Sequence, residues 1–278
     1  MPSIALLGTL DTKLEEIITL RRLILSSDPT ASTTVTLIDV GRTPVSHPDV
    51  TISQATVLKY ARSDAPHKGK GISKLPRGEV IKHMISCATA LIQTLLPSGQ
   101  DPALEYDKPD NVGTIHAIIS AGGSGGTSLA SAVMRSVPIG FPKMIVSTVA
   151  SGDTGPIVGE TDISLVYSVV DIAGMNDVLH DVLSNAAGAI VGMAHAYFRR
   201  LETRKPAKKD VDNTSGLRPC GSKDHINVAI SMFGVTTPCV DAIRSYLNGL
   251  GDDPAHPYSY TSFVFHSIGQ GRRRVLCG

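Results

Sequence analysis

The chain has 278 residues, 42% of them apolar and 18% charged, with 26 Lys plus Arg against 25 Asp plus Glu. That apolar fraction fills a large core and excludes global disorder, and the length suits about two domains. With a formal net charge of +1, 4% aromatic residues and no Trp, neither nucleic acid nor an anionic membrane surface is an expected partner.

The opening SIALLG run at 3–8 predicts a buried strand closed by Gly8. Apolar residues at helical spacing predict a helix over 13–26, and the β-branched run at 34–40 a second strand. A strand, helix and strand in succession predict a parallel sheet. Residues 42–78 read as a long loop with one short helix near 54–61, and 79–96 as a helix stopped by Pro97. The start lacks a basic segment and a long apolar run, so no signal peptide is expected. No stretch reaches the length of a membrane span. Cys87, Cys220, Cys239 and Cys277 have neither metal-ligand nor disulfide-framework spacing, and free thiols in the cytoplasm are expected.

The sharpest segment is central. A strand over 115–121 runs into Gly122-Gly123-Ser124-Gly125-Gly126-Thr127, and a helix is expected over 128–135. Glycines let a backbone turn tightly and aim successive N–H groups inward, and the following helix adds its positive end. The pattern is neither a Walker loop nor a dinucleotide fingerprint, but it suits a phosphate, with Ser124, Thr127 and Ser128 as hydroxyl donors. The same letters match a G-x-S-x-G elbow, which makes a serine hydrolase on Ser124 the rival reading. It needs Asp153 or Asp171 as acid and His195, His225 or His266 as base.

Further strands are expected over 143–150 and 163–168. The loop between them carries Asp153, Glu160 and Asp162, which fit either Mg²⁺ ligation beside phosphates or ordinary turn chemistry. In Thr9-Leu10-Asp11-Thr12-Lys13 after the first strand, Asp11 or Thr12 reads as a helix N-cap, with Lys13 on a phosphate and Asp11 on a ribose or a metal as the alternative. The helix expected over 177–201 is rich in Ala and Gly and suits a close-packed interface. A scaffold that meets its own copy or another protein is therefore a third reading. Residues 203–224 read as an interdomain linker. Beyond them come a strand over 225–233, a helix over 237–247 with Thr237 as N-cap, and a strand over 260–266.

Gly8-Thr9-Leu10-Asp11-Thr12-Lys13, the glycine run, Ser147-Thr148-Val149-Ala150-Ser151-Gly152-Asp153-Thr154-Gly155-Pro156 and Met232-Phe233-Gly234-Val235-Thr236-Thr237-Pro238-Cys239 together resemble the Tm-one-like ATP-binding domain family. The resemblance covers nearly all of residues 1–270. It implies two Rossmann-like α/β subdomains, ATP with Mg²⁺ at the loops, and self-association as a homodimer or larger homo-oligomer. On that reading 1–202 is the nucleotide-binding subdomain and 225–278 a second, incomplete one. The phosphates fall on the glycine run, with further contacts from Thr9, Asp11, Thr12, Asp153, Thr154 and Thr237. Two departures stand out. Leu14 follows Lys13 where the family usually has Gly, and the loop begun by Gly269-Gln270-Gly271 breaks off in Arg272-Arg273-Arg274, so a truncated second subdomain is expected.

Overall fold

The computed structural model describes residues 1–61, 72, 75–97, 107–204, 224–253 and 255–267. The chain divides into two compact units, Met1–Val158 with Asp162–Lys205, and Gly159–Thr161 with Pro206–Gly278. The Gly269–Gly271 and Arg272–Arg274 segments, most of the expected linker, Cys220 and Cys277 lie outside the described residues.

The first unit is built on a five-stranded sheet in the order β2-β1-β3-β4-β5. Its strands are β1 (Ser3–Gly8), β2 (Thr34–Asp39), β3 (Ala117–Gly122), β4 (Lys143–Ser147) and β5 (Ser164–Tyr167). Every pairing is parallel. Alternation along β1 splits the core in two. Ala5 and Leu7 face one cluster, with α2 (Gln54–Leu58), α3 (Arg77–Leu95) and α4 (Ser124–Arg135) over it. Ile4 and Leu6 face the other, covered by α1 (Leu10–Ser26) and α6 (Asp177–Arg204). A period of two with both faces apolar is what a parallel sheet between helix layers requires. The first unit is thus a Rossmann-like α/β fold. A short helix α5 (Gly155–Val158) follows β4.

Gly8 shows how tightly α1 packs on β1. A Cβ there would stand 2.8 Å from Leu10 Cδ2 and 3.0 Å from Ile17 Cγ2. Lys13, where the sequence predicted the helix to start, has non-helical angles (φ −137°, ψ 32°), so Leu10–Thr12 form a separate turn ahead of the main helix. Leu14 packs against the core on that side, which gives its side chain a structural use.

The ends of the sheet are fixed by polar side chains. At the amino end, the Asp28 carboxylate accepts from the N–H groups of Thr30, Ser32 and Thr33 at 2.9, 3.0 and 2.7 Å and meets His195 Nε2 at 3.3 Å. The Thr30 hydroxyl, then the other hydrogen bonds, hold its pKa far below the ordinary value against the opposing effect of burial. Lys143, fully buried at the start of β4, donates to the carbonyls of Pro138 and Phe141 and pairs with Asp162 at 2.7 Å.

The second unit is a single strand-helix-strand motif. β6 (Asp224–Met232) and β7 (Tyr258–His266) pair in parallel, joined through α7 (Thr237–Asp252). Among its described residues from 224 onward only Val240 is buried. Two strands and one helix cover one sheet face, and among the described residues no closed core forms. The N-cap of α7 is Thr236, after a 3₁₀ turn at Gly234–Thr236, so Thr237 is the first helical residue instead of the cap. Its hydroxyl donates to the Gly234 carbonyl at 2.8 Å.

Candidate functional site

A cleft of about 720 Å³ opens above the carboxyl ends of the strands in the first unit. Thr9, Asp11, Thr12 and Lys13 line it after β1, and Gly123 to Gly126 line it after β3. In the order 2-1-3-4-5 the chain reverses direction between β1 and β3, and ligands of open α/β sheets sit at that switch point.

The glycine run is not the loop the sequence predicted. Helix α4 begins at Ser124, with Gly123 extended before it (φ −78°, ψ −166°), so most of the run is the first helical turn. The helical ladder opens with Thr127 N–H donating to Gly123 O at 2.9 Å. The amides of Ser124, Gly125 and Gly126 precede it and have no carbonyl one turn back to bond. Gly122 packs against Gly126, and a Cβ there would meet its Cα in ordinary contact at 3.4 Å.

Thr127 turns away from the cleft. Its hydroxyl lies 2.7 Å from Ser147 Oγ and 3.3 Å from Gly122 O, with the side chain buried. Ser147 in turn accepts the Val149 N–H at 3.2 Å. Thr127 therefore ties the helix start to the end of β4.

Asp11 is not a helix cap. Its carboxylate accepts the N–H groups of Arg42 and Thr43 at 3.0 and 3.1 Å, holding the segment after β2 against the start of α1. Beside it, fully buried Asp39 accepts from the N–H groups of Gly41 and Val45 at 2.9 and 3.2 Å. Burial, aided by the negative charge of Asp11, pushes the Asp39 carboxyl above its ordinary pKa despite those hydrogen bonds. Gly41 lies between the two acids, since a Cβ there would stand 2.6 Å from Asp11 Oδ1 and 3.0 Å from Asp39 Oδ1. Thr9 and Thr12 join hydroxyls at 3.2 Å at the cleft edge.

Two cleft cations escaped the sequence reading. Arg42 follows β2 and donates through Nη2 to Leu75 O at 3.0 Å. Arg77 opens α3 and lies over Gly125. Together with Lys13 they give the cleft three cations against the carboxylates of Asp11 and Asp171. The signal for Arg42 was its place just past the carboxyl end of a strand. Arg77 had none, because nothing in the loop before it fixes where the chain returns.

The expected metal ligands are spent separately. Asp153 accepts the Gly155 N–H at 3.0 Å, as a turn former does. Asp162 takes the Lys143 ammonium and the Gly140 N–H, the latter at 2.7 Å. Neither they nor Glu160 line the cleft, and among the described residues no three His, Cys, Asp or Glu come together as a metal site. Thr154 uses its carbonyl to start α5. Thr237 belongs to the second unit. Ser124 lines the cleft, but among the described residues no histidine does. His195 is bound to Asp28 and Thr33 at the opposite end of the sheet, so among the described residues none stands as the base that a hydrolase would need beside Ser124.

Helix α6 uses its small residues on two sides. Ala186, Ala187 and Ala194 are buried against the sheet, while Gly188 and Gly192 face open space. No helix among the described residues is long and apolar enough to cross a membrane.

Fold and cleft define a Rossmann-like α/β protein with a cation-lined, glycine-floored cleft at the switch point of its sheet. The chain belongs to the UPF0261 family. Residues 2–199 match the N-terminal domain of this uncharacterised protein family and 225–275 match its C-terminal domain. It is 35% identical over 272 residues to a UPF0261 protein of Clostridium tetani, covering 98% of this chain and 55% of that one. Against the ToMV susceptible protein tm-1(GCR26) of Solanum lycopersicum it is 35% identical over 282 residues, covering 99% of this chain and 32% of the relative. The ToMV resistance protein Tm-1(GCR237) of the same plant is 44% identical over 158 residues, 57% of this chain and 18% of the relative. The chain thus spans about half the length of the bacterial relative and a third or less of the plant ones.

Proposed function

We propose that the first unit binds a nucleoside triphosphate, ATP with Mg²⁺, with the phosphates on the amides of Ser124, Gly125 and Gly126. The observation that carries this reading is the convergence of a helix start with Lys13, Arg42 and Arg77 on one cleft. Backbone amides and the helix dipole favour negative charge, and guanidinium groups bind phosphate oxygens in pairs. Gly123, Gly125 and Gly126 keep the floor free of side chains, so an anion can approach the backbone. Mg²⁺ fits as an ion carried by the phosphates, since among the described residues Asp11 and Asp171 are the cleft's only carboxylates and Mg²⁺ often keeps most of its ligands from substrate and water. Thr127 acts by positioning α4 and not by touching the ligand. Self-association through the open Gly188 and Gly192 side of α6, in the cytoplasm, belongs to the same proposal, and solution mass tests it.

Titration calorimetry with ATP, with and without Mg²⁺, tests the cleft. Wild type should bind more tightly with the metal, and Gly125→Val should lose most of the affinity by filling the floor. Equal affinity of the two proteins rejects the assignment.

A further inference from the structure

Val169 lies in the left-handed region of backbone space, at φ +66°. A β-branched residue there is a steric outlier, because its branched Cβ crowds the neighbouring backbone. Burial does not repay the strain, since Val169 is 59% exposed. It does line the cleft.

The strained turn is held from below. The buried Ser168 hydroxyl donates to Val170 O at 2.6 Å, and the Val170 N–H returns to Ser168 O at 2.7 Å. Ser168 N–H donates to Ser147 O at 3.1 Å. Ser147 is the residue whose hydroxyl joins Thr127 and accepts the Val149 N–H. Val149 also lines the cleft and is 37% exposed. Two buried serine hydroxyls, joined through the backbone bond between Ser168 and Ser147, therefore fix the helix start under the proposed phosphates and present two solvent-facing valines from the ends of adjacent strands. Strain maintained at an exposed cleft residue marks a ligand contact more readily than a packing need.

We infer that Val169, with Val149, is the apolar wall against which the planar ring of the bound nucleotide packs, so that the cleft selects a ring-bearing triphosphate over a bare polyphosphate. This rests on the nucleotide reading above. It divides the cleft into a cationic end for phosphates and an apolar end for the base.

The test uses Val169→Asn on the full chain, because Asn tolerates left-handed backbone and removes the apolar face. Without ligand, the variant should melt about 2–4 °C higher than wild type as the strain is relieved. Its affinity for ATP should fall roughly tenfold, the scale of losing one buried valine contact. Its affinity for inorganic tripolyphosphate should not change. Val169→Gly should lose ATP affinity in the same way. An unchanged ATP affinity, a parallel loss for both ligands, or a lower melting temperature in the Asn variant overturns the inference. If wild type binds tripolyphosphate as tightly as ATP, the ring wall is refuted and the anion site stands. If wild type binds neither, the nucleotide reading falls and takes the wall with it.

Discussion

Arg77 occupies the space in front of Gly125: a Cβ on that glycine would stand 2.9 Å from Nη2 of the guanidinium. The two residues lie on different helices, α3 and α4, and both line the cleft. An arginine folded over a helix's first turn holds its charge beside that turn.

Gly125→Ala separates function from folding at this contact. Alanine in a helical turn adds about 0.5–1 kcal/mol of stability, and the obstructing atom is the far end of a flexible side chain. Urea denaturation should show a stability equal to or above that of wild type. ATP affinity should fall, since Arg77 must move. Arg77→Ala should weaken binding by roughly 10- to 100-fold, the range for a charge-assisted hydrogen bond. The double variant should lose little more than Arg77→Ala alone, because both act through one contact.

Lys143 and Asp162 form an ion pair whose cation is fully buried and whose anion is 40% exposed. Burial raises the Asp162 pKa, but the Lys143 hydrogen bond, the Gly140 N–H and the lysine charge together outweigh it, and the net shift is downward. A carboxyl held lower in the fold than in the unfolded chain contributes stability fully above its unfolded value of 3.8 and loses it as pH falls through the folded value. Asp162→Asn should therefore cost about 1–2 kcal/mol near neutrality, less than a fully buried pair would because solvent screens the carboxylate. The difference from wild type should shrink below about pH 4. Denaturation series at both pH values check this.

His116 accepts the Ser3 N–H on Nδ1 at 3.1 Å and packs edge-on against Phe198, with ring centroids 5.0 Å apart. Burial, and then the positive amino terminus, lowers its pKa below the ordinary 6.5. The neutral ring is the native form, so its contribution is complete above 6.5 and declines as pH falls toward the folded value, while the unfolded chain takes up the proton first. His116→Asn keeps an acceptor near the δ position and removes the titration. The drop in stability between about pH 7 and about pH 5 should be smaller in this variant.

Cys87 and Cys239 differ in reactivity for a reason visible in their surroundings. Cys87 is buried in α3, and burial pushes its thiol up to about 11. Cys239 is exposed near the start of α7. Iodoacetamide on the native protein should modify Cys239 and spare Cys87, and denaturant should expose both to labelling. Modification of native Cys87, read by peptide mass, would contradict its placement in the core.

Much of the scaffold was legible because strands and helices leave periodic apolar patterns. β1 falls on the expected 3–8 run, and β2 and α6 depart only at their ends. The glycine run misled because glycine has low helix propensity, yet here it forms a first turn. A Cβ along the run would meet only ordinary contacts except at Gly125, where the flexible Arg77 guanidinium would have to shift, so the tie of Thr127 to Ser147 and not crowding holds this turn in place. Thr127 was legible as a hydroxyl in the right segment, but its direction was not. Only the position of Ser147 on the neighbouring strand turns it inward. Asp11 looked like a cap because local sequence cannot show that Arg42 and Thr43 bring their amides to it.

By itself the sequence determined the alternation of strand and helix, the two apolar faces of the sheet, and the stretch where a cleft would form. These follow from burial periodicity and from glycine at strand ends, which are local properties of the chain. The tertiary structure alone decided that Arg42 and Arg77 reach the cleft, that Asp153 and Asp162 are spent elsewhere, and that Val169 stands strained at its rim. Those outcomes depend on where distant segments return in space, and on which polar groups compete for the same partner, neither of which is written in the spacing of residues.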